Sequence, residues 1–158
     1  MEDREDIDAP SGTSPGLNVQ ATTVWEQVID DMEVTAEEYG ESGWSTLQLH
    51  PGDVTIAANA NPPGLDVVLP NPEFAALESL IEDGVRFDEY DVFRAEGEGI
   101  ELALLVAKDS DRDEAVLVPI YYRIEELVTL AQTSGRDGLP IYLRQLDEQA
   151  VMVELTEP

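Results

Sequence analysis

Apolar side chains recur along this chain with two distinct periods. Between about residues 18 and 40, Trp25, Val28, Ile29, Met32, Ala36 and Tyr39 follow the i, i+3, i+4, i+7 spacing of one helical stripe. Glu26, Asp30, Asp31, Glu33, Glu37 and Glu38 fill the other faces. The pattern predicts the longest helix of the chain. Its start is capped either by Asn18 or by a Thr23–Glu26 capping box, and Gly40 and Gly43 stop it. From Trp44 to His50 the period drops to two, which is strand spacing. His50-Pro51-Gly52-Asp53 reads as a type II turn with Pro at i+1 and Gly at i+2. Short strands follow over Val54 to Ala58 and Leu65 to Leu69.

Asn71-Pro72 opens a second helix, with Asn as N-cap and Pro at the first helical position. Phe74, Leu77, Leu80 and Ile81 form its apolar face, and Gly84 ends it. Three strands are then predicted over Phe87 to Ala95, Ile100 to Lys108 and Glu114 to Tyr122. The polar loops between them are short, which favours an antiparallel meander. A short helix over Ile124 to Thr133 precedes two final strands, Pro140 to Leu146 and Ala150 to Leu155. The order α-β-β-β-α-β-β-β-α-β-β predicts an α+β fold: a mostly antiparallel sheet covered by one long N-terminal helix and two shorter helices. Residues 1–17 are acidic and then rich in Pro, Gly and Ser, with few apolar side chains. They are expected to be a disordered tail on a single domain spanning 18–158.

Charge changes this picture more than composition does. The chain carries 35 Asp and Glu against 8 Lys and Arg, a formal charge of −27 on 158 residues, and Lys108 is the only lysine. Such a surface repels itself in dilute buffer. At about 1 M salt the Debye length falls to roughly 3 Å and the repulsion is largely screened. The expected setting is a cytoplasm at molar salt, with solvent cations such as K⁺ at the acidic surface. Cysteine is absent, which removes disulfides, thiolate metal sites and cysteine nucleophiles. The N-terminus lacks the basic and apolar regions of a secretory signal. The longest apolar run, Ala115 to Tyr122, contains Pro119 and falls far short of the ~20 residues of a membrane helix. No basic patch marks nucleic-acid binding, although a folded cluster of Arg86, Arg94, Arg123 and Arg144 stays open. The favoured reading pairs each arginine with a carboxylate.

Candidate chemistry is sparse. Asp109-Ser110-Asp111-Arg112-Asp113 opens like a calcium loop, but Glu114 and Ile120 stand where an EF-hand needs Gly and Glu. A solvated hairpin tip fits better, and no metal or cofactor is expected. A metal-dependent nuclease core is set aside because Lys108 lacks a carboxylate two residues before it. Gly97-x-Gly99 lacks the third glycine and following helix of a dinucleotide loop. His50 is the only histidine, with Asp53 three residues on to orient its ring. No nucleophile and no catalytic set can be assigned. Phe87 to Arg94 mixes aromatic and charged groups on both strand faces, and Val118 to Arg123 lies beside it in the meander. Aromatics flanked by arginine fit a recognition surface or, as the favoured reading, a sheet face packed under the first helix with snorkelling arginines.

Several phrases together carry a family resemblance: Val24-Trp25-Glu26, Glu37-Glu38-Tyr39, Gly43 to Val54, Phe87 to Arg94 and Ala115 to Tyr122. Over roughly residues 19–156 the chain resembles a family of small acidic proteins of unassigned function from halophilic archaea. The resemblance implies a salt-loving cytoplasmic protein and brings no activity with it.

The leading expectation is a non-enzymatic protein-binding or regulatory module with an unknown protein partner or self-association. Tyr90, Phe93, Arg94, Tyr121 and Tyr122 are its candidate partner-binding residues. The alternative is a small-molecule-binding protein or enzyme. Its pocket is expected near His50 and Asp53, between the long helix and the sheet.

Overall fold

The computed structural model describes residues 19–60, 63–97, 100–126, 128–129, 138–145 and 150–156. The elements, in chain order, are α1 (Val19–Glu41), β1 (Ser45–Gln48), β2 (Asp53–Ala57), β3 (Gly64–Val68), α2 (Asn71–Glu82), β4 (Glu89–Gly97), β5 (Ile100–Asp109), β6 (Glu114–Arg123), β7 (Gly138–Arg144) and β8 (Ala150–Thr156). Residues 124–126 and 128–129 are helical, at the start of the third predicted helix. The rest of that helix and the predicted tail lie outside the described residues.

The class is α+β, but the sheets are mixed instead of mostly antiparallel, and there are two of them. One has the order β1-β6-β5-β4 and the other β2-β3-β7-β8. The predicted meander is present, with β4–β5 and β5–β6 antiparallel. The departure lies in the early strands. β1 joins β6 in parallel, Ser45 opposite Glu114, and β3 joins β7 in parallel, Leu65 opposite Ile141. The backbone between β1 and β2 shows why. Leu49 N–H donates to Leu117 O of β6, while Gly52 N–H donates to Val68 O of β3, both at 2.9 Å. His50 to Gly52 therefore carries the chain from one sheet to the other and closes no hairpin. Gly52 is not among the positive-φ residues, so the type II turn is not formed.

Helix ends follow local chemistry. Gly43 takes φ +93°. Gly43 N–H bonds to Gly40 O at 3.1 Å and Trp44 N–H to Tyr39 O at 3.0 Å, a Schellman cap on α1. Its hydrophobic contact is Trp44 against Tyr39, ring centroids 5.5 Å apart. Gly84 (φ +100°) ends α2 in the same way, with Val85 N–H on Leu80 O. The starts differ from expectation. Thr23 lies inside α1, so it caps nothing, and position 18 is outside the described residues. Pro70 is the N-cap of α2, and its carbonyl accepts from Glu73 and Phe74 N–H. Asn71 is thus inside the helix, and Pro72 sits in the first turn, where no N–H is required.

Trp25, Val28, Met32 and Ala36 are buried, as one helical stripe should be. α1 lies on the face of the first sheet that carries Tyr121, and Trp25 meets Tyr121 edge-on at 5.4 Å. The helices do not cover a one-sided sheet, however. Leu102 to Ala107 and Ala115 to Tyr122 are buried on both strand faces. Near-continuous apolar runs are the mark of strands covered on both sides. One core cluster joins these strands to Phe74 and Leu77 of α2 and to Leu65, Val67, Ile141 and Leu143 of the second sheet.

Candidate functional site

His50 is tied to the start of α2 and not to Asp53. Its backbone N–H donates to Glu73 Oε1 at 2.6 Å, and its ring Nδ1 lies 2.7 Å from Glu73 Oε2. The His50 side chain is 48% exposed. Glu73 falls in the first turn of α2, where a carboxylate also favours the helix dipole. The pairing fixes the chain crossing between the sheets to α2.

Asp53 instead lines a cavity of about 360 Å³ between the two sheets. Val54, Ile56 and Leu65 of the second sheet and Ile100 of the first give it apolar walls. Tyr121 and Tyr122 of β6 also line it. Asp53, Arg123 and Glu126 add charge of both signs. His50, expected beside Asp53 in a pocket under α1, is not among the lining residues of this cavity.

The five candidate partner-binding residues are divided by strand alternation. Tyr121 and Tyr122 are buried, 7% and 8% exposed, and point to opposite faces of β6. Tyr122 donates its hydroxyl to Glu101 Oε1, directly across on β5. Arg94 Nε lies 3.8 Å from the same oxygen, so β4, β5 and β6 are crossed by one polar chain. Burial, and then the Glu101 carboxylate, push the Tyr122 phenol well above its ordinary pKa. Tyr90 is half-buried against the core. Phe93 faces the α1 side and is 54% exposed. Beside it, a groove of about 260 Å³ runs between α1 and β4, lined by Val34, Asp31, Glu38, Phe93 and Arg94 with Leu104 beneath. Val34 is itself 52% exposed.

The calcium-like segment forms a self-satisfied loop. Asp109 is 3% exposed. Its carboxylate accepts the backbone N–H groups of Arg86 (2.8 Å), Asp111 (3.0 Å) and Arg112 (3.2 Å). Asp88 receives Ser110 Oγ at 2.6 Å and Ser110 N at 3.2 Å, and these bonds hold its carboxyl below the usual carboxylate value. Arg112 Nε donates to Gly84 O at 3.1 Å. Together these contacts pin the β5–β6 turn to the α2–β4 connection. Among the described residues no group of three His, Asp or Glu is placed to hold a metal ion.

Arginine pairing is partial. Arg94, Arg112 and Arg144 have carboxylates within 4.0 Å, Arg144 through two bonds to Asp66 at 2.8 and 3.1 Å. Lys108 is held by Asp91 at 2.7 Å. Among the described residues Arg86 and Arg123 make no such pair, which corrects the expectation that every arginine is matched. Sequence reasoning missed Glu73, Glu101 and Glu126 because nothing in their spacing separates them from the other carboxylates.

The chain belongs to a family of unknown function, DUF7529, whose profile matches residues 16–156. No curated protein and no solved structure matches the chain. No helix of the described residues is long and apolar enough to cross a membrane.

Proposed function

We propose that this chain is a non-enzymatic protein-binding module of a high-salt cytoplasm, and that its partner adds an extended, basic segment beside β4. The observation that carries this is the exposure of Phe93 (54%) and Val34 (52%) in the groove along β4, the last strand of its sheet. A terminal strand offers backbone donors and acceptors to an added strand, and pockets beside it select alternate side chains. Asp31 and Glu38 line the same groove, so the added strand carries Lys or Arg around an apolar residue. Charge complementarity favours such a segment over a second copy of a chain with charge −27. The same charge supports the molar-salt setting, where this repulsion is screened.

The test is affinity purification from a high-salt lysate with the wild type, Phe93→Asp and the exposed control Val128→Asp, coupled to hydrogen exchange. The expected result is a stoichiometric protein retained by wild type and control and lost by Phe93→Asp, with added protection over residues 89–97. Equal retention by Phe93→Asp, or protection elsewhere only, overturns the proposal.

A further inference from the structure

The cavity between the sheets goes beyond the groove at β4. In a chain with 35 acidic against 8 basic residues, a guanidinium without a carboxylate partner is unexpected. Among the described residues Arg123 is such a group, and it lines this cavity. Glu126 is one helical turn away and lines the same cavity, yet the two lie beyond the 4.0 Å of an ion pair. Asp53 lines it from the second sheet, where it also acts on the charge of Arg144, and it has no ion pair of its own among the described residues. Among the described residues the mouth thus presents one positive and two negative groups with no ion pair between them, over a lining that includes Val54, Ile56 and Leu65.

Each simpler ligand leaves something unmet. A pure anion gains Arg123 but faces two carboxylates. A pure cation gains the carboxylates but leaves the guanidinium unmatched. An uncharged apolar molecule uses neither. A volume of about 360 Å³ sits at the small end of ligand sites, which span roughly 300–1,000 Å³, and excludes a folded peptide. We propose that the cavity binds a small zwitterion with an apolar body, of the α-amino-acid kind. Arg123 receives the carboxylate, Asp53 and Glu126 receive the ammonium, and the side chain lies against Ile56 and Leu65.

The probe is L-leucine, titrated into the full chain at a KCl concentration that keeps it folded and followed by amide NMR. Its two halves, 3-methylbutylamine and 4-methylpentanoate, are the controls. The expected result is a saturable shift over residues 53–56 and 121–123, with each half-ligand weaker by about tenfold or more. Arg123→Gln should weaken leucine by a similar factor, and because Arg123 is exposed the variant keeps the wild-type spectrum elsewhere. The proposal is overturned if either half-ligand binds as tightly as leucine. It is overturned equally if Arg123→Gln binds leucine unchanged, or if no saturable shift appears up to about 10 mM.

Discussion

The ammonium of Lys108 lies 2.7 Å from Asp91 Oδ2. The same nitrogen is 5.9 Å from the centre of the Tyr39 ring, and Tyr39 donates its hydroxyl to Asp91 at 3.4 Å. The only lysine of the chain thus fastens the end of α1 to the first sheet, which explains its persistence in a chain otherwise served by arginine. Lys108 is 15% exposed and Asp91 45%, so solvent weakens the pair without abolishing it. Lys108→Gln should cost about 1–2 kcal/mol in urea melts at constant KCl. Arg86→Gln, on an exposed and unpaired side chain, should stay within about 0.5 kcal/mol. Equal effects would remove any special role for Lys108.

Stability should fall as pH rises beyond about 10. Below the unfolded phenol's pKa both states keep the Tyr122 proton, and the group adds no pH dependence. Above it the unfolded chain releases the proton while burial and Glu101 retain it in the fold, so unfolding is favoured. Lys108, raised chiefly by its bond to Asp91, acts in the same direction at similar pH. Tyr122→Phe should therefore flatten the decline in urea midpoints between about pH 9 and pH 11 without erasing it. An unchanged slope would assign the whole decline to other groups.

At the acid end, Asp88 should titrate below its reference value of 3.8, because Ser110 donates to it through both hydroxyl and backbone. Its depressed pKa contributes stability that is present above the unfolded value and lost as pH falls through the folded one. In an NMR titration of side-chain carboxyls, Ser110→Ala should move Asp88 up toward the reference. No movement would mean the hydroxyl is irrelevant to that carboxylate.

Gly64 is needed for lack of a side chain and not for an unusual φ. A Cβ there would stand 2.1 Å from the Pro140 carbonyl oxygen, a backbone atom fixed by the β3–β7 pairing. Gly64→Ala should cost about 3 kcal/mol. Gly52→Ala, which meets nothing within 4 Å, should cost much less. Thermal melts at fixed salt compare the two directly.

With a net charge of −27, folding is expected to depend on salt. Far-ultraviolet circular dichroism should decline as KCl drops from multimolar to millimolar and recover when salt is restored. Full cooperative stability in dilute buffer would show that the fold tolerates its own field.

Much of the fold was legible locally. The Trp25–Met32–Ala36 stripe, glycines 43 and 84, and the short loops around β5 each encode their own geometry. The parallel pairings were not legible, because no local residue tells Ser45 to seek Glu114 instead of Asp53. The long apolar runs of β5 and β6 did announce strands buried on both faces, a reading missed when one helix-covered face was assumed. For the sites, alternation along Phe87 to Arg94 foretold that Phe93 and Arg94 diverge. It did not foretell that Asp53 and Arg123, from different sheets, would line one cavity. That relation depends on strand order, which is set by packing over long sequence distances.

The two parallel pairings also impose a timetable. β1 and β3 emerge early in synthesis, but their neighbours β6 and β7 emerge late, so neither sheet closes until most of the chain exists. During that wait, the short strands β1 and β3 are open to strands on neighbouring nascent chains. At molar salt the carboxylates repel little across the gap between molecules, so synthesis is the stage at which this topology is most open to mispairing.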